Sequence, residues 1–420
     1  MTKRNIVPKL FLCVLAIALL TACQAGEEKL SAPPVTSPPV ITAGPTPPPV
    51  PIESPDPMEE LLARMTVEEK VGQLLIAGIE GGEPGPDAEA AISTVQPGGI
   101  ILFRRNVQSV EQLTALTDQL KEMNRENPVP LFLCVDEEGG LVSRMPDELA
   151  DLPDMYEFGQ KGDPALTYAV GRVLADLCRN QGINMNFAPV LDVWSNPGNT
   201  VIGRRAFGPD PETVAAMGLP VMEGLRDYGV IPVVKHFPGH GDTLTDSHED
   251  LPVVEKSLEE LLELELKPFA AAIADGAEVV MAAHVLERGI DPDLPASLSP
   301  RVIDGLLRKE LGFEGVVCTD DLTMAAVSGR WSMGEAAVLA VEAGCDLLLV
   351  CHGGDNLTQA RQGLLDAVGS GRVSAERLDE SVRRILTLKE AYGLADEPAP
   401  GLDAGAANEV LTALLSGFDS

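Results

Sequence analysis

Eight short runs rich in valine, isoleucine and leucine recur along the chain, and amphipathic stretches separate many of them. Such runs are typical of parallel strands that are covered on both faces. They lie at residues 73–79, 99–103, 131–136, 184–190, 230–235, 278–283, 316–320 and 346–350. Apolar residues recur with helical spacing at 110–123, 164–180, 213–228, 258–274, 300–311 and 334–343. The alternation predicts an α/β fold, a single (β/α)8 TIM-like barrel. A doubly wound open sheet is the alternative, but no GxGxxG motif follows the first run.

The first 22 residues have the pattern of a bacterial secretion signal. Three basic residues precede an apolar run over 10–20, which is shorter than the roughly 20 residues needed to cross a bilayer. The run ends in Leu-Thr-Ala-Cys at 20–23, which resembles a lipobox. We therefore expect a signal peptide over 1–22, a lipid on Cys23, and an extracytoplasmic protein anchored to the membrane of a bacterium. An ordinary signal peptide with a chance cysteine is the alternative.

The composition divides the remaining chain into three parts. Residues 23–57 are rich in proline, threonine and serine, which is typical of an extended linker. Residues 58–395 contain all the predicted strands and form the predicted barrel domain. Residues 396–420 form a C-terminal tail.

Charge and cysteine content argue against a nucleic-acid-binding protein and against a disulfide-rich protein. The formal net charge of −33 repels nucleic acid, so no nucleic-acid partner is expected. Beyond Cys23, five cysteines are widely spaced, which favours buried thiols over a disulfide framework. The sequence leaves the oligomeric state open.

Polar residues follow the ends of six predicted strands, where barrel enzymes place their chemistry. In chain order they are Asp136, Asp192, Lys235 with His236, His284, Asp320 with Asp321, and His352. The stretch KHFPGHGDTLTDSH over 235–248 contains three of the five histidines. Its proline and glycines disfavour a helix that would bring histidines together on zinc. We expect neither a metal nor a cofactor, since phosphate-binding and calcium motifs are also absent from the sequence.

Six motifs make the chain similar to the β-N-acetylhexosaminidases of glycoside hydrolase family 3, of the NagZ type. They are MTVEEKVGQ at 65–73, VDEEGG at 135–140, NFAPVLDV at 186–193, IGRRAFG at 202–208, the histidine stretch at 235–248 and CTDDLTM at 318–324. The resemblance covers roughly residues 58–392. The histidine stretch is the most specific of these motifs, because it marks the N-acetylglucosaminidases within the family.

The resemblance implies a retaining reaction through a covalent glycosyl-enzyme. Asp320 is the implied nucleophile, His248 the general acid/base, and Asp246 its partner in a dyad. The implied substrate-binding residues are Asp136, Arg144, Arg205, Lys235 and His236. The implied substrate contains N-acetylglucosamine, as in peptidoglycan fragments of the cell wall. His284 and His352 are interpreted as supporting residues.

Three alternatives remain at this point. A histidine acid/base stays neutral when the second nucleophile arrives, so an N-acetylglucosaminide phosphorylase is one alternative. A β-glucosidase or β-xylosidase of the same fold is another, although those enzymes lack the histidine stretch. A non-catalytic sugar-binding lipoprotein is the third. Leu141 departs from the family, where an arginine commonly follows the Gly-Gly pair, and this departure bears on substrate preference.

Overall fold

The predicted strands form a closed barrel in the computed structural model, which describes residues 57–244, 247 and 250–419. The barrel strands are β1 (Leu75–Gly78), β2 (Gly99–Leu102), β3 (Phe132–Val135), β4 (Met185–Asn186), β5 (Ile231–Phe237), β7 (Val279–Ala282), β9 (Val316–Asp321) and β10 (Leu347–Val350). All neighbours are parallel, and β10 closes onto β1. Outside the barrel, β6 (Val253–Val254) pairs with β8 (Leu286–Glu287). The barrel prediction is confirmed, and the open-sheet alternative is wrong.

Helices cover the outside of the barrel. The α-helices are α1 (Pro57–Arg64), α2 (Val67–Gln73), α3 (Pro86–Ala90), α4 (Val110–Asn124), α5 (Met155–Lys161), α6 (Pro164–Asn180), α7 (Pro211–Asp227), α8 (Leu258–Glu263), α9 (Leu266–Ala274), α10 (Ala325–Ser328), α11 (Met333–Ala343), α12 (Gly354–Ser370), α13 (Ala375–Ala391) and α14 (Ala404–Asp419). Short 3-10 turns lie at Arg104–Asn106, Gly203–Arg205 and Ala296–Leu298, and π-helical turns at Ala91–Val95 and Arg301–Glu310. Among the residues described, none of the helices has the length and apolarity to cross a membrane.

The strands form where the sequence is apolar on both faces. Every residue of β2, β3, β7 and β10 is buried, as a parallel sheet beneath helices requires. The fourth strand is shorter than predicted, because only Met185 and Asn186 pair with both neighbours. Pro189 has no N–H to donate to a ladder. The chain returns to the sheet at Val190, which forms a bridge with Lys235.

Two predicted helices differ in their internal structure. The stretch 258–274 contains two helices, α8 and α9, instead of one. Pro268 explains the break, because it cannot donate the hydrogen bond that Leu264 would accept in a continuous helix. The stretch 300–311 is π-helical, with the Gly305 N–H donating to the Pro300 carbonyl at 2.9 Å.

A lysine closes the amino-terminal end of the barrel. Lys389 of α13 is buried, and its ammonium donates to the Gln73 side chain and to the carbonyls of Gly98 and Pro130, over 2.7–2.9 Å. It also lies 4.5 Å from the centre of the Phe132 ring. These contacts stabilise the end of the barrel that lies opposite the predicted site.

The predicted signal peptide (1–22), Cys23 and the linker (23–57) lie outside the described residues, except for Pro57. The two residues of the predicted dyad, Asp246 and His248, also lie outside them. The five described cysteines are buried and form no disulfide. Within the predicted tail, α14 buries Leu411 completely.

Candidate active site

The carboxyl ends of the barrel strands surround a cavity of about 550 Å³. Six residues predicted from the sequence line it together: Asp136, Arg144, Arg205, Lys235, His236 and Asp320. This volume falls within the range of sites that hold small molecules, which is about 300–1,000 Å³. Ser247 also lines the cavity. The parallel barrel brings these residues together, since the segments that carry them are far apart in the sequence.

Alternating charges form one wall of the cavity. The Lys235 ammonium lies 2.6 Å from both Asp136 Oδ1 and Glu138 Oε1. Arg205 binds the same Glu138 through two hydrogen bonds of 2.8 Å. Lys235 is only 1% exposed, so its stem and head are fixed. This wall presents donors and acceptors whose positions are set before any ligand arrives.

The charges in this wall hold one another ionised. Burial alone would raise the pKa of Glu138, but Arg205 and Lys235 outweigh it and hold that pKa far below its usual range. Burial would likewise lower the pKa of Lys235, but Asp136 and Glu138 together raise it. Glu138 was not among the site residues predicted from the sequence. The signal available was a run of three carboxylates at the end of a strand.

Glu137, the neighbour of Glu138, has a structural role. Its Oε2 atom accepts hydrogen bonds from the Ser143 hydroxyl and from the backbone N–H groups of Arg144 and Met145. Burial raises the pKa of Glu137 to about 7, although these hydrogen bonds oppose the shift. Glu137 therefore holds the loop that brings Arg144 to the cavity.

Arg144 has unused hydrogen-bonding capacity. Its Nη1 donates to the Ser143 carbonyl at 3.3 Å, and its buried Nε has no hydrogen-bond partner among the described residues. A guanidinium with free donors at a cavity wall is suited to bind hydroxyl or carboxylate oxygens of a ligand. Leu141, the departure from the family that lies three positions before Arg144, is 74% exposed and does not line the cavity.

His236 is oriented by Asp192. Its Nδ1 lies 2.7 Å from Asp192 Oδ2, and its Nε2 lies 3.4 Å from Arg205 Nη2. Because arginine can only donate, Nε2 accepts and Nδ1 carries the proton that binds Asp192. The other oxygen of Asp192 accepts the backbone N–H of His240 at 2.7 Å. Asp192 therefore fixes both the ring of His236 and the start of the histidine stretch.

Asp320 faces the cavity from the end of β9. It is half-buried, and its Oδ1 accepts the backbone N–H of Asp321 at 2.8 Å. Burial alone would raise the pKa of Asp320. The nearby His284, His236 and Lys235, with the Asp321 N–H, outweigh burial and hold that pKa below its usual range. Asp320 is therefore an ionised carboxylate at neutral pH, as a nucleophile requires.

His284 supports the segment that carries Asp320. It is fully buried, and its Nε2 lies 3.0 Å from the carbonyl oxygen of Asp321. Since a carbonyl only accepts, Nε2 carries the proton, and Nδ1 accepts from the Ser297 hydroxyl at 2.6 Å. Burial lowers the pKa of His284, although the negative charge of Asp320 opposes this shift.

Asp321 contributes to the same support. Its Oδ1 accepts the backbone N–H groups of Thr323 and of Cys351, after the neighbouring strand β10. Its Oδ2 lies 3.8 Å from Nε2 of His352, a half-exposed ring at the cavity rim. The two adjacent aspartates thus have different roles. Asp321 accepts hydrogen bonds from backbone N–H groups of two segments, whereas Asp320 faces the cavity.

Ser247, near the end of the histidine stretch, lines the cavity. Its hydroxyl lies 3.2 Å from Nε2 of His240, and its carbonyl accepts the N–H of Ala326 at 3.2 Å. His240 Nδ1 lies 2.8 Å from the Thr243 hydroxyl. Within the described ranges, no three His, Cys, Asp or Glu side chains are grouped so as to hold a metal ion.

The chain is similar to proteins of glycosyl hydrolase family 3 in both sequence and structure. The model of the glycosyl hydrolase family 3 N-terminal domain matches residues 66–388. A beta-hexosaminidase from Stenotrophomonas maltophilia (strain K279a) is 38% identical over 285 residues, 66% of this chain and 83% of that protein. One from Neisseria gonorrhoeae is 42% identical over 274 residues, 63% of this chain and 74% of that protein. The solved family 3 β-N-acetylglucosaminidase of Paenibacillus sp. str. FPU-7 superimposes with a TM-score of 0.79 at 44% identity, covering 83% of this chain and 68% of that one.

Proposed function

Because this chain belongs to glycoside hydrolase family 3 and is a glycosidase, we propose that it is a retaining exo-β-N-acetylglucosaminidase. It removes terminal N-acetylglucosamine from peptidoglycan fragments. The observation that carries this proposal is the Asp320 carboxylate, which shares one cavity with the fixed charges of Asp136, Lys235 and Arg205.

The reaction takes two displacements at the anomeric carbon. In the first, an oxygen of Asp320 forms a bond to this carbon, and the glycosidic oxygen leaves with its electron pair and a proton from His248. In the second, neutral His248 takes a proton from water while the water oxygen forms a bond to the anomeric carbon. The bond between this carbon and Asp320 breaks, and Asp320 leaves as a carboxylate. Asp246 raises the proton affinity of the His248 ring by pairing with it.

The described part of the histidine stretch supports this assignment. Ser247 lines the cavity, and it is covalently bonded to Asp246 on one side and to His248 on the other. The described residue of this part of the stretch therefore belongs to the wall that also contains Asp320.

Substrate binding uses the fixed charges. Asp136 accepts hydrogen bonds from ring hydroxyls, while Lys235, Arg205 and Arg144 donate to substrate oxygens. His236, whose Nε2 lies 3.4 Å from Arg205 Nη2, completes the set of proposed binding residues. These partners are in place before the sugar arrives, so little reorganisation opposes the transition state.

The cellular setting of the proposal rests on the N-terminal sequence. Removal of residues 1–22 and attachment of lipid to Cys23 would place the enzyme outside the cytoplasm, on the membrane. The proline-rich residues 24–57 would then act as a spacer between the membrane and the barrel. Replacing Cys23 with serine tests this part: the protein should move from the membrane fraction to the soluble fraction, and an unchanged distribution contradicts the anchor.

Product analysis tests the activity. We expect release of N-acetylglucosamine from purified cell-wall fragments, and hydrolysis of 4-nitrophenyl N-acetyl-β-glucosaminide but not of the matching glucoside. Cleavage of the glucoside alone would favour a β-glucosidase. Formation of N-acetylglucosamine 1-phosphate with added phosphate would favour a phosphorylase.

Covalent trapping tests the nucleophile. A 5-fluoro N-acetylglucosaminyl fluoride should add one sugar mass to the peptide that contains Asp320. The Asp320→Ala variant should bind substrate without turnover. A label on another carboxylate would overturn the assignment, and unchanged turnover in Asp320→Ala would do the same.

A further inference from the structure

A second group of charged side chains lies outside the cavity, around the ion pair of Lys256 with Glu265. The group consists of Asp242, Lys256, Glu265 and Glu287, and we call it the anchor cluster. The Lys256 ammonium lies 2.5 Å from Glu265 Oε1 and 3.3 Å from Asp242 Oδ2. None of the four residues lines the cavity, and the mechanism above does not use them.

The anchor cluster joins the two ends of one segment. Asp242 stands near the start of this segment and Lys256 at its end, so their ion pair spans it. At the start, Gly239 packs so closely on the stem of Glu265 that an added Cβ would lie 2.7 Å from it. At the end, the strand β6 pairs with β8, which contains Glu287. Asp246 and His248 belong to the sequence between these ends.

Glu287 is the unusual member of the cluster. It is fully buried, and neither of its carboxylate oxygens has a hydrogen-bond partner among the described residues. Glu265 Oε2 is also buried without a partner there. Glu265 and Asp242 both pair with Lys256, and Glu287 is near enough to interact electrostatically with all three. An ionised carboxylate without partners is very costly to bury.

A proton on Glu287 resolves this imbalance. Burial raises the pKa of Glu287 to about 8; repulsion by Glu265 and Asp242 adds to the shift, and Lys256 reduces it. A metal ion would need converging ligands, and the described residues contain no such group of three. At neutral pH, Glu265 and Asp242 then share Lys256 without competition from a third negative charge.

We propose that Glu287 is a positioning residue that, in its protonated form, lets Lys256 hold together both ends of the segment carrying Asp246 and His248. Ionisation of Glu287 at alkaline pH adds a negative charge that competes for Lys256 and repels Glu265 and Asp242. The hold on the segment weakens, and the proposed acid/base is no longer positioned. This inference rests on the proposed function, because it assigns the acid/base to this segment.

The variant Glu287→Gln tests the inference, since glutamine has the shape of the protonated acid and cannot ionise. The measurement is kcat/KM of the variant divided by that of the wild type, from pH 6 to pH 9.5. The ratio cancels every titration that both proteins share, including that of His248. An ionisation near pH 8 leaves about one molecule in ten protonated at pH 9, so the ratio should rise from about one to as much as tenfold. A ratio that stays flat overturns the inference.

Glu255→Gln is the matched control. Glu255 is exposed, lies one position before Lys256 in the sequence and pairs with Arg288 on the surface. It loses the same charge without entering the anchor cluster. Its ratio should stay near one at every pH, and a rise equal to that of Glu287→Gln would assign the effect to net charge and overturn the role of Glu287.

Stability provides a readout that is independent of turnover. The folded state keeps a proton on Glu287 that the unfolded state loses above its ordinary pKa. The contribution of Glu287 to wild-type stability therefore falls as the pH rises from about 4.5 to about 8. Glu287→Gln lacks this fall, so its urea midpoint should exceed that of the wild type increasingly toward pH 8. A variant less stable than the wild type at pH 8 contradicts the inference. A wild type without glycosidase activity would instead contradict the proposed function, and this series still tests Glu287.

Discussion

Arg205 and Glu138 face each other through two parallel hydrogen bonds, Nε to Oε2 and Nη2 to Oε1, both 2.8 Å long. The same carboxylate also lies 2.6 Å from the Lys235 ammonium. One buried anion thus compensates two cations of the cavity wall. Glu138 therefore sets the shape of the site and also the stability of the barrel mouth.

Glu138→Gln should destabilise the protein strongly, because it leaves Arg205 and Lys235 short of one negative charge. Breaking a buried ion pair from one side costs about 3–5 kcal/mol, measured as the free energy of unfolding in urea. Glu335→Gln is the control, since Glu335 also accepts two hydrogen bonds of 2.8 Å from one arginine, Arg372, at the surface. That exposed pair is worth about 1 kcal/mol or less. Equal losses in both variants would contradict the role assigned to Glu138.

Arg144→Met should reduce activity while leaving stability nearly unchanged. The guanidinium forms no ion pair within the described residues, so the fold does not depend on its charge. A hydrogen bond from a charged group contributes about 1.5–3 kcal/mol, so kcat/KM for the chromogenic N-acetylglucosaminide should fall about 10- to 100-fold. Arg383→Met, at the exposed Arg383–Glu59 pair, should leave kcat/KM unchanged. A marked loss of stability in Arg144→Met would show that the side chain is structural.

Ser297→Ala should lower kcat with little change in KM. The variant removes the hydroxyl bound to His284 Nδ1 and frees the ring to exchange its proton between the two nitrogens. The hydrogen bond from His284 Nε2 to the Asp321 carbonyl then weakens. A loss of about 1 kcal/mol corresponds to a decrease in kcat of roughly fivefold. The rate of covalent trapping at Asp320 should fall in parallel. If only the melting temperature changes, Ser297 contributes packing and not orientation.

Asp192→Asn should reveal a pH-dependent part of the stability. Although burial opposes it, His236 and His240 hold the pKa of Asp192 below its usual value. Its contribution is fully present above the ordinary carboxyl pKa and disappears as the pH falls through the lower folded-state value. The variant should be less stable than the wild type at pH 7 by about 1.5–3 kcal/mol, and the gap in urea midpoints should narrow toward pH 3. A gap that is constant with pH would exclude a role for the charge.

The fold followed from the sequence because its signal is local. Each apolar run that contributes to the barrel is visible in its own five to seven residues, and polar residues such as Asp136 and Lys235 stand at the ends of these runs. The break between α8 and α9 had a local signal in Pro268 that helical periodicity concealed. The early end of β4 also had a local sequence signal, which is Pro189.

Residues that act through distant partners were harder to predict. Glu138 meets Arg205 across 67 positions of sequence, and the adjacent, chemically identical Glu137 has a different task. Ser297 gains its role only because the fold places it beside His284. Nothing in the sequence distinguishes Glu287 from the other single acidic residues of the chain. Its properties come from burial and from the three charged neighbours that the fold brings to it.

The cavity wall contains one more carboxylate than it has lysine and arginine side chains. Among the described lining residues, Asp136, Glu138, Asp320 and Asp321 are opposed by Arg144, Arg205 and Lys235. Such a surplus favours a sugar ring that becomes cationic as its glycosidic bond breaks. A ring compound with a protonated nitrogen imitates that charge. Iminosugars related to N-acetylglucosamine should therefore inhibit this protein better than neutral lactams of the same shape, which gives the charge asymmetry a use in inhibitor design.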